Sequence, residues 1–425
     1  MTGRLYLDTA AAAPVRREAL EAAWPYLAGA FGNPSSHHEF GRGPAEALAD
    51  ARARVAKVLG MRATDITFTG GGTEADNLAI IGMALGARTQ GRAQGRAQGR
   101  AQTQGRSHTQ DRAQPEGRAG TAAPPRRHIV TSPIEHEAVL ASVEFLTRVH
   151  GFTVTEVAPT SDGTVTPEAL TAAIRPDTVL VSLGYANNEI GTVADVPTLA
   201  GIAHEAGALF HTDAVQAAGW LPLTGLGIDA LSLAGHKVGA PKGIGVAAIR
   251  ARVPVEPLIH GGGQESGRRS GTENVALAVA FATALELAEA DRHEAADRVR
   301  AIRDEFISTV LSHVPGSFLT GAAGTAGPDG RATRTPNHAS FCFSNTSGEA
   351  VLLELERLGV TASSGSACAV GSDEPSHVLT ALGVPPEVAQ TSVRFTFPSS
   401  ITPDRGRAAA RAVISAAEGL ASSFA

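Results

Sequence analysis

Short apolar runs that alternate with amphipathic segments between residues 66 and 236 place the strongest constraint on the fold. Each run ends in a polar or glycine-rich cluster, as expected for strands that end at the edge of a sheet. Because strands and helices alternate, we predict an α/β protein with a mostly parallel sheet covered on both faces. The predicted strands are Ile66 to Thr69, His128 to Thr131, Val179 to Leu183, Ala208 to His211 and Ala230 to Leu233.

The residues best suited to chemistry follow these runs, at the predicted carboxyl ends of the strands. In open α/β sheets the carboxyl ends of strands line the ligand crevice. Five strand ends should therefore converge on one site. The groups concerned are Gly70-Gly71-Gly72-Thr73, His136, Asn187-Asn188, Asp213 and His236-Lys237.

The pattern changes after about residue 262, which predicts a second, smaller domain. A long alanine-rich helix is predicted from Asn274 to about His313, with strands around His338–Phe343 and Val393–Phe397. A chain of 425 residues is long enough for two cores. We expect a large domain over 14–262 and a small α+β domain made of 1–13 and 263–425.

An arginine-rich insertion is predicted over 87–126. Residues 91–102 repeat Gly-Arg-Ala-Gln, and low complexity continues to Pro125, so this segment should be a surface loop without a core. A tolerated insertion is favoured over an arm for nucleic acid, because the rest of the chain is strongly acidic. Residues 320–337, rich in Gly, Pro and Thr, predict a second exposed loop.

The composition indicates a soluble protein of a reducing compartment. No apolar run approaches the roughly 18 residues that span a bilayer, and no secretory signal precedes Asp8. Two cysteines are too few for a disulfide framework, so we expect a cytoplasmic protein. Cys342 lies in an apolar strand and should be buried. Cys368 lies among Ser, Gly and Ala, which predicts an exposed, mobile loop and a reactive thiol.

Lysine is rare in this chain, and its placement is informative. The chain contains 36 Lys and Arg residues, but only Lys57, Lys237 and Lys242 are lysines. Arginine can replace lysine as a surface charge, but it cannot form a Schiff base. Lys237 after a predicted strand is therefore a candidate nucleophile and base. The count by itself is equally compatible with the chance survival of surface lysines.

Other groups at the strand ends suit a phosphorylated ring. Asp213 could keep a ring nitrogen protonated, and His136 could stack on the ring and carry protons. The alternatives are a helix N-cap at Asp213 and a capping or surface histidine at His136. Residues 70–72 let the backbone approach a phosphate, although a plain tight turn would look the same. Arg394, in an apolar strand, should meet a carboxylate from substrate or protein.

Taken together and in order, these residues resemble the cysteine desulfurases of the class V aminotransferase family, in the branch that serves iron–sulfur cluster assembly and nitrogenase. The resemblance spans nearly the whole chain. It is carried by Tyr6-Leu7-Asp8, Gly32-Asn33-Pro34-Ser35-Ser36, Thr73-Glu74-Ala75-Asp76-Asn77, Glu135-His136, Asn187-Asn188-Glu189-Ile190-Gly191, Gly235-His236-Lys237, Pro241-Lys242-Gly243, Gly261-Gly262-Gly263-Gln264-Glu265, Arg269-Ser270-Gly271-Thr272, Ser363-Ser364-Gly365-Ser366-Ala367-Cys368 and Glu374-Pro375-Ser376-His377-Val378-Leu379.

The resemblance implies the fold type I of transferases that depend on pyridoxal 5'-phosphate (PLP), in a homodimer with sites at the interface. Gly72, Thr73 and His236 would bind the cofactor phosphate. Thr272 would reach the phosphate of the neighbouring subunit.

The resemblance also assigns the cofactor ring. Lys237 would anchor the cofactor, Asp213 would face the ring nitrogen and Gln216 the phenolic oxygen. His136 would lie against the ring face, and Asn188 would contact the cofactor.

For the substrate, the resemblance implies that Asn188 and Arg394 hold the carboxylate of L-cysteine. Cys368 would accept the sulfur as a persulfide and pass it to an acceptor or scaffold protein. Two features depart from the family. Ala234 stands where a phosphate-binding Ser is usual, and residues 395–400 lack the usual Gly-Arg.

Two other functions remain open from the sequence. One is another PLP reaction on the same fold, such as that of a selenocysteine lyase or an aminotransferase. The other is a PLP-binding sulfur-relay scaffold without turnover, which Ala234 makes conceivable. Cys368 favours the desulfurase, because an aminotransferase needs no thiol there. Iron–sulfur assembly, tRNA thiolation and cofactor biosynthesis all remain possible destinations of the sulfur.

Overall fold

A computed structural model of the chain describes residues 4–88, 126–324, 327, 330–344, 346–365 and 374–423. The arginine-rich repeat and Cys368 lie outside these residues, as do residues 366–372 of the loop predicted around that cysteine. Within them the strands are β1 (Leu5–Tyr6), β2 (Ile66–Thr69), β3 (His128–Thr131), β4 (Thr153–Glu156), β5 (Thr178–Ser182), β6 (Leu209–Asp213), β7 (Ala230–Ala234), β8 (Gly245–Ile249), β9 (Ser317–Leu319), β10 (His338–Phe343), β11 (Val360–Thr361) and β12 (Ser392–Thr396).

Helices surround these strands. Short 3-10 turns cover Ala63–Asp65 and Glu265–Gly267, and Leu78–Gly82 is π-helical. Residues 83–88 are α-helical, and the α-helices labelled here are α1 (Arg17–Ala28), α2 (Glu39–Leu59), α3 (Gly72–Asn77), α4 (Glu137–His150), α5 (Pro167–Ala173), α6 (Val196–Glu205), α7 (Gly235–Val238), α8 (Val275–His313), α9 (Gly348–Arg357), α10 (His377–Ala381), α11 (Pro386–Ala389) and α12 (Pro403–Ser423).

A seven-stranded sheet in the order β2-β8-β7-β6-β5-β3-β4 forms the centre of the larger part of the molecule. Strands β4, β3, β5, β6 and β7 run parallel, and β8 is antiparallel to both of its neighbours. Every residue of β5 and β7 is buried, because helices cover both faces. The prediction of a mostly parallel α/β sheet is confirmed, with each predicted strand displaced by two residues at most.

Helix α8 connects this sheet to a second core. The Asn274 side chain caps its start by accepting a hydrogen bond from the Leu277 N–H at 3.1 Å. Its first half, through Ala288, packs into the core around the sheet, and its second half, from Val299, packs into the other core. One helix thereby holds both cores together. None of the helices in the described part combines the length and apolar content needed to cross a bilayer.

The second core is built around the antiparallel strands β9, β10 and β12. The Phe306 ring packs edge-to-face on Phe341, Phe395 and Phe397, with centroids 5.1 to 6.0 Å apart. Cys342, also on β10, is fully buried, as predicted for that cysteine, and packs with Ile134 and Ile190. The N-terminal strand β1 joins the same part by pairing with β11. The domain limits at residues 14 and 262 remain a prediction.

The described residues between Thr320 and Asn337 are irregular, but the prediction that this stretch is exposed is wrong at both ends. Thr320 and Asn337 are buried, and so is Arg334. The Arg334 guanidinium donates to the carbonyls of Ile190, Thr320 and Ala322. Buried hydrogen bonds of this kind attach the stretch to the loop that follows β5. The stretch holds two arginines, Arg331 and Arg334, and nothing in the sequence around Arg334 signals its burial.

Gly191 lies in the loop after β5, where side chains of the second core approach the backbone closely. Its φ is +72°, a left-handed conformation that favours glycine. A Cβ at this position would lie 2.6 Å from Cγ of His338, so the imidazole closes directly over the glycine. The His338 ring is also within 3.3 Å of the Asn188 carbonyl, counted from Nε2. The loop at 187–192 is therefore held by side chains of the second core.

Replacing Gly191 with alanine should destabilise the protein by about 2–4 kcal/mol, because strain at positive φ adds to overpacking against His338. The matched control is Gly225→Ala, where φ is +73° but nothing lies within 4 Å of the added Cβ. Only the backbone strain, about 1 kcal/mol, should appear there. Chemical denaturation of both variants measures the difference. Equal losses for the two would show that the His338 contact does not restrain the loop.

Candidate active site

A cavity of about 370 Å³ opens at the carboxyl ends of β2, β3, β5, β6 and β7. The N-terminal residues Ala10 and Ala11 cover part of it, and β12 contributes one residue from the second core. The five predicted strand ends therefore converge on one place. The predicted site residues that line this cavity are Gly72, Thr73, His136, Asn188, Asp213, Gln216, His236, Lys237 and Arg394.

One predicted site residue that the structure describes is not part of this lining. Thr272 is exposed, in the turn that follows Glu265–Gly267. Cys368 lies outside the described residues, but both flanks of its segment are described. Gly365 is buried against the Glu189 carboxylate, and the Ser376 hydroxyl donates to the same carboxylate at 2.5 Å. Both flanks thus meet the residue that follows Asn188.

The glycine-rich loop between β2 and α3 is held by charge pairs. The Glu74 carboxylate accepts a hydrogen bond from the Gly70 N–H at 2.7 Å and pairs with Arg269 at 2.8 Å. Gly72 faces the cavity, and a Cβ there would lie 3.2 Å from the Ala234 methyl group. The backbone of this loop can therefore approach a ligand, with Ala234 closing its inner side.

Lys237 and His236 are presented by the single turn α7. Lys237 Nζ donates to the carbonyls of Ala10 and Ala11, the latter at 2.8 Å, so the N-terminal segment holds the amine at the cavity. Burial, together with Lys237 and Lys242, lowers the pKa of His236 to about 4. The His236 imidazole is therefore neutral at pH 7 and has one N–H to donate to an anion.

Asp213 ends β6 and begins a turn, not the helix that an N-cap would require. Its Oδ1 accepts a hydrogen bond from the Val215 N–H at 2.8 Å. Burial raises the pKa of Asp213, while His136, the Val215 N–H and Lys237 act in the opposite direction. Gln216 lies beside it and donates from Nε2 to the Ala10 carbonyl at 3.1 Å.

His136 combines two of the alternatives that the sequence left open. It is the N-cap of α4, because its Nδ1 accepts a hydrogen bond from the Ala138 N–H at 3.1 Å. The same residue lines the cavity. Capping fixes the orientation of the ring, since one nitrogen is committed to the backbone.

Arg394 brings the second core into the site. Its side chain is buried, and Nη2 donates to Oδ1 of Asp8 at 2.9 Å while Nη1 donates to the Asn188 carbonyl at 3.1 Å. The carboxylate expected for this arginine is thus present in the protein. Asn187, which also lines the cavity, shapes the loop, because its Oδ1 accepts from the backbone N–H groups of Glu189 and Ile190.

Sequence reasoning missed two buried carboxyl groups that line the cavity, Asp76 and Glu135. Glu135 accepts a hydrogen bond from the Gly184 N–H at 2.8 Å. Burial raises the pKa of Glu135 to about 8. Its position directly before His136 was the available signal, but burial depends on the packing of distant segments and is not visible in a motif.

The raised pKa of Glu135 predicts a pH-dependent stability. In the folded protein this group is neutral below about pH 8, whereas its ordinary pKa is 4.5. The contribution of Glu135 to the free energy of unfolding is therefore fully present below pH 4.5 and is lost as the pH rises through 8. Glu135→Gln should gain stability relative to wild type over this range, on the order of 4 kcal/mol in total.

Denaturant unfolding of wild type and Glu135→Gln at pH 5 and pH 8 measures this gain. Glu144→Gln is the control, because Glu144 lies on α4 with its side chain 74% exposed. The difference between Glu144→Gln and wild type should not change with pH. A pH-independent difference for Glu135→Gln would contradict the raised pKa.

Comparison with known proteins agrees with this geometry. The family described as Aminotransferase class-V matches residues 5–93 and 103–403. The chain is 40% identical over 398 residues to the cysteine desulfurase IscS of Dictyoglomus turgidum, covering 93% of this chain and 90% of that protein. It is 43% identical over 397 residues to a cysteine desulfurase of Cereibacter sphaeroides, covering 92% and 90%.

The fold has a close structural counterpart as well. The solved structure of a NifS-like protein superposes with a TM-score of 0.80 at 31% identity, covering 97% of this chain and 99% of that one. Sequence and fold therefore agree over nearly the full length, and the chain belongs to the class V aminotransferase family.

Proposed function

We propose that this protein is a PLP-dependent cysteine desulfurase that converts L-cysteine to L-alanine and leaves a persulfide on Cys368. One observation carries the proposal. Lys237, Asp213 and His136 line a single cavity in a chain that is 40–43% identical to proteins named cysteine desulfurase. Transfer of the persulfide sulfur to an acceptor or scaffold protein, as in iron–sulfur cluster assembly, completes the proposed role.

The residues around the cavity fit PLP. Lys237 supplies the amine that would hold the aldehyde, and Asp213 the carboxylate for the ring nitrogen. The cradle at Gly72, where a Cβ would meet Ala234 and Val215 at 3.2 Å, suits close approach of a phosphate, with His236 and Thr73 beside it. Bound there, the cofactor would supply a ring that withdraws electrons from the substrate Cα.

The ring itself has further neighbours in this arrangement. His136 would lie against its face, Gln216 would donate to the phenolic oxygen, and Asn188 would contact the cofactor beside the substrate. All three line the cavity. Gln216 has a second task, because its amide already donates to the Ala10 carbonyl and so ties the cofactor position to the N-terminal segment.

Arg394 and Asn188 are placed to bind the carboxylate of cysteine. The Arg394 guanidinium is shared with Asp8, so the bound carboxylate would complete a charge cluster and not neutralise an isolated cation. Lys237 would take the proton from the substrate Cα once its amine is released. The carbonyls of Ala10 and Ala11 orient that amine.

Cys368 is the proposed sulfur acceptor. Its thiolate attacks the substrate sulfur, an S–S bond forms, and the substrate Cβ–S bond breaks with the electron pair passing to carbon. A proton then completes alanine. Cys368 follows Gly365 by three residues in the sequence. Gly365 packs against Glu189, the neighbour of Asn188, which supports access of the thiol to this edge of the cavity.

Purified protein with PLP, L-cysteine and a reductant should release sulfide and alanine in equal amounts. Lys237→Ala should abolish turnover and the lysine adduct that borohydride reduces. Cys368→Ala should lower sulfide release by about 10²-fold or more, because the nucleophile is lost. Cys342→Ala is the matched control, since that thiol is fully buried and is not part of the cavity lining, and it should keep activity.

Each alternative function gives a different result in this assay. Wild-type sulfide release by Cys368→Ala would refute the persulfide role. Transamination of cysteine without sulfide would indicate an aminotransferase, and turnover of selenocysteine alone would indicate a selenocysteine lyase. PLP binding without any turnover would indicate a sulfur-relay scaffold.

We also propose a cytoplasmic homodimer in which Thr272 contributes to the partner's phosphate site. An exposed apolar face supports the dimer. Trp24, Phe31 and Phe40 are 67%, 73% and 68% exposed, and the rings of Phe31 and Phe40 stack with centroids 6.1 Å apart. Leu20 and Leu27 on α1 extend this face. Apolar surface of this kind commonly marks a protein interface.

Trp24→Glu with Phe31→Glu should convert the dimer to monomers by placing charges in the interface. Sedimentation velocity measures the change. The control is Leu353→Glu, because Leu353 is 63% exposed on α9, apart from this face. A dimer that persists in the double variant would exclude this face as the interface.

A further inference from the structure

A chain of four buried polar side chains lies beneath the cavity, and none of them has a role in the function proposed above. Its members are Asp76, Ser232, His211 and Ser182, all 2% exposed or less. Ser182 Oγ lies 2.9 Å from Nδ1 of His211, and Ser232 Oγ lies 3.0 Å from Nε2. Asp76 bonds to Ser232, and its Oδ1 lies 3.7 Å from His211 Nε2.

The strand register explains why these groups meet beneath Asp213. His211 and Asp213 are two residues apart on β6, so both side chains point to the same face of the sheet. Ser182 is the partner of His211 on β5, and Ser232 is the partner of Asp213 on β7. Helix α3 covers this face and brings Asp76 to it. The network therefore connects directly to the carboxylate proposed to face the cofactor ring.

The charges around the two carboxyl groups are unequal. Asp213 has Lys237 and His136 nearby, and it accepts the Val215 N–H. Asp76 faces Asp213, Glu135 and His211. No Lys or Arg pairs with Asp76 among the residues that the structure describes, and its Oδ1 accepts no hydrogen bond there. An ionised Asp76 would thus be buried with two carboxyl neighbours and no cation.

The pKa shifts of Asp76 and His211 agree with this difference in surrounding charge. Burial raises the pKa of Asp76 well above its ordinary value and the charge of Asp213 raises it further, while the hydrogen bond with Ser232 acts in the opposite direction. Burial lowers the pKa of His211 to about 3, so the imidazole is neutral at pH 7. When two carboxyl groups share a dry site, one proton is retained by the group with the poorer environment for charge.

We propose that Asp76 is the permanently protonated member of a carboxyl pair with Asp213, and that its proton begins a hydrogen-bonded chain through Ser232 and His211 to Ser182. The purpose of this hydrogen-bonded chain, to keep Asp213 ionised, rests on the proposed function. Asp76 and His211 act through Asp213, so they are positioning residues and not catalytic ones.

With neutral groups, each of the three protons between Asp76 and Ser182 has one acceptor. Asp76 O–H donates to the Ser232 oxygen, and Ser232 O–H donates to Nε2 of His211. The remaining N–H at Nδ1 then donates to Ser182. The arrangement leaves Asp213 as the single negative charge of the pair. A second charge at Asp76 would favour protonation of Asp213, and a neutral Asp213 would no longer keep the cofactor ring nitrogen protonated.

Infrared difference spectroscopy of the full-length holoprotein at pH 7 tests the protonation directly. Subtracting the spectrum of Asp76→Asn from that of wild type should reveal the carbonyl stretch of a protonated carboxylic acid. Asp229→Asn is the matched control: Asp229 is equally buried but pairs with Arg252 and His204, so no such band should be lost. A carboxylate band in the Asp76 difference would overturn the proposal in favour of an ion pair with His211.

Cofactor affinity and turnover supply a second readout. Asp76→Asn keeps a neutral hydrogen-bonding group, so the Kd for PLP and kcat should stay within about threefold of wild type. Asp76→Leu leaves Ser232 without its partner and should weaken PLP binding about tenfold. A loss of about 10²-fold or more in Asp76→Asn would show that the charge is required and would overturn the proposal.

These measurements separate this inference from the proposed function. If wild-type protein releases no sulfide from L-cysteine, the desulfurase proposal fails, but the acid band of Asp76 is still expected. If sulfide is released and the acid band is absent, only the inference about Asp76 fails.

Discussion

The site depends on one buried guanidinium. Arg394 of β12 donates to the Asp8 carboxylate and to the Asn188 carbonyl, and so joins the N-terminal segment, the loop after β5 and the second core. An unpaired guanidinium at this depth would be costly, so the arginine holds the three segments together. The carbonyls that orient Lys237 belong to the same N-terminal segment. The position of the lysine amine therefore also depends on the attachment of that segment by Arg394.

Desolvation sets the protonation states of the groups that line the cavity. The parallel sheet brings strand ends together, and helices on both faces exclude water from them. Burial raises the pKa values of Asp76, Asp213 and Glu135 and lowers that of His236. The positions of the remaining cations then decide which carboxyl group stays ionised. An α/β fold thereby produces distinct acid and base behaviour from ordinary side chains.

The regular parts of the fold were predictable because local patterns specify them. Strands β2 and β3 begin and end at the predicted residues, and Asn274 caps the long helix where expected. The error over residues 320–337 arose because Arg334 makes its hydrogen bonds to the loop after β5, far away in the chain. Asp76 escaped notice for a similar reason: nothing in its own segment shows that it contacts His211.

The sequence by itself determined the alternation of strands and helices, the identity of the groups that follow each strand, and the single lysine and cysteine on which the proposed chemistry depends. Only the tertiary structure decided that Asp8 is the partner of Arg394, 386 residues away in the chain, and that Asp76 lies beneath Asp213. Local propensity fixes what a segment becomes. Protonation and pairing depend on burial and on distances between remote segments, which exist only once the chain has folded.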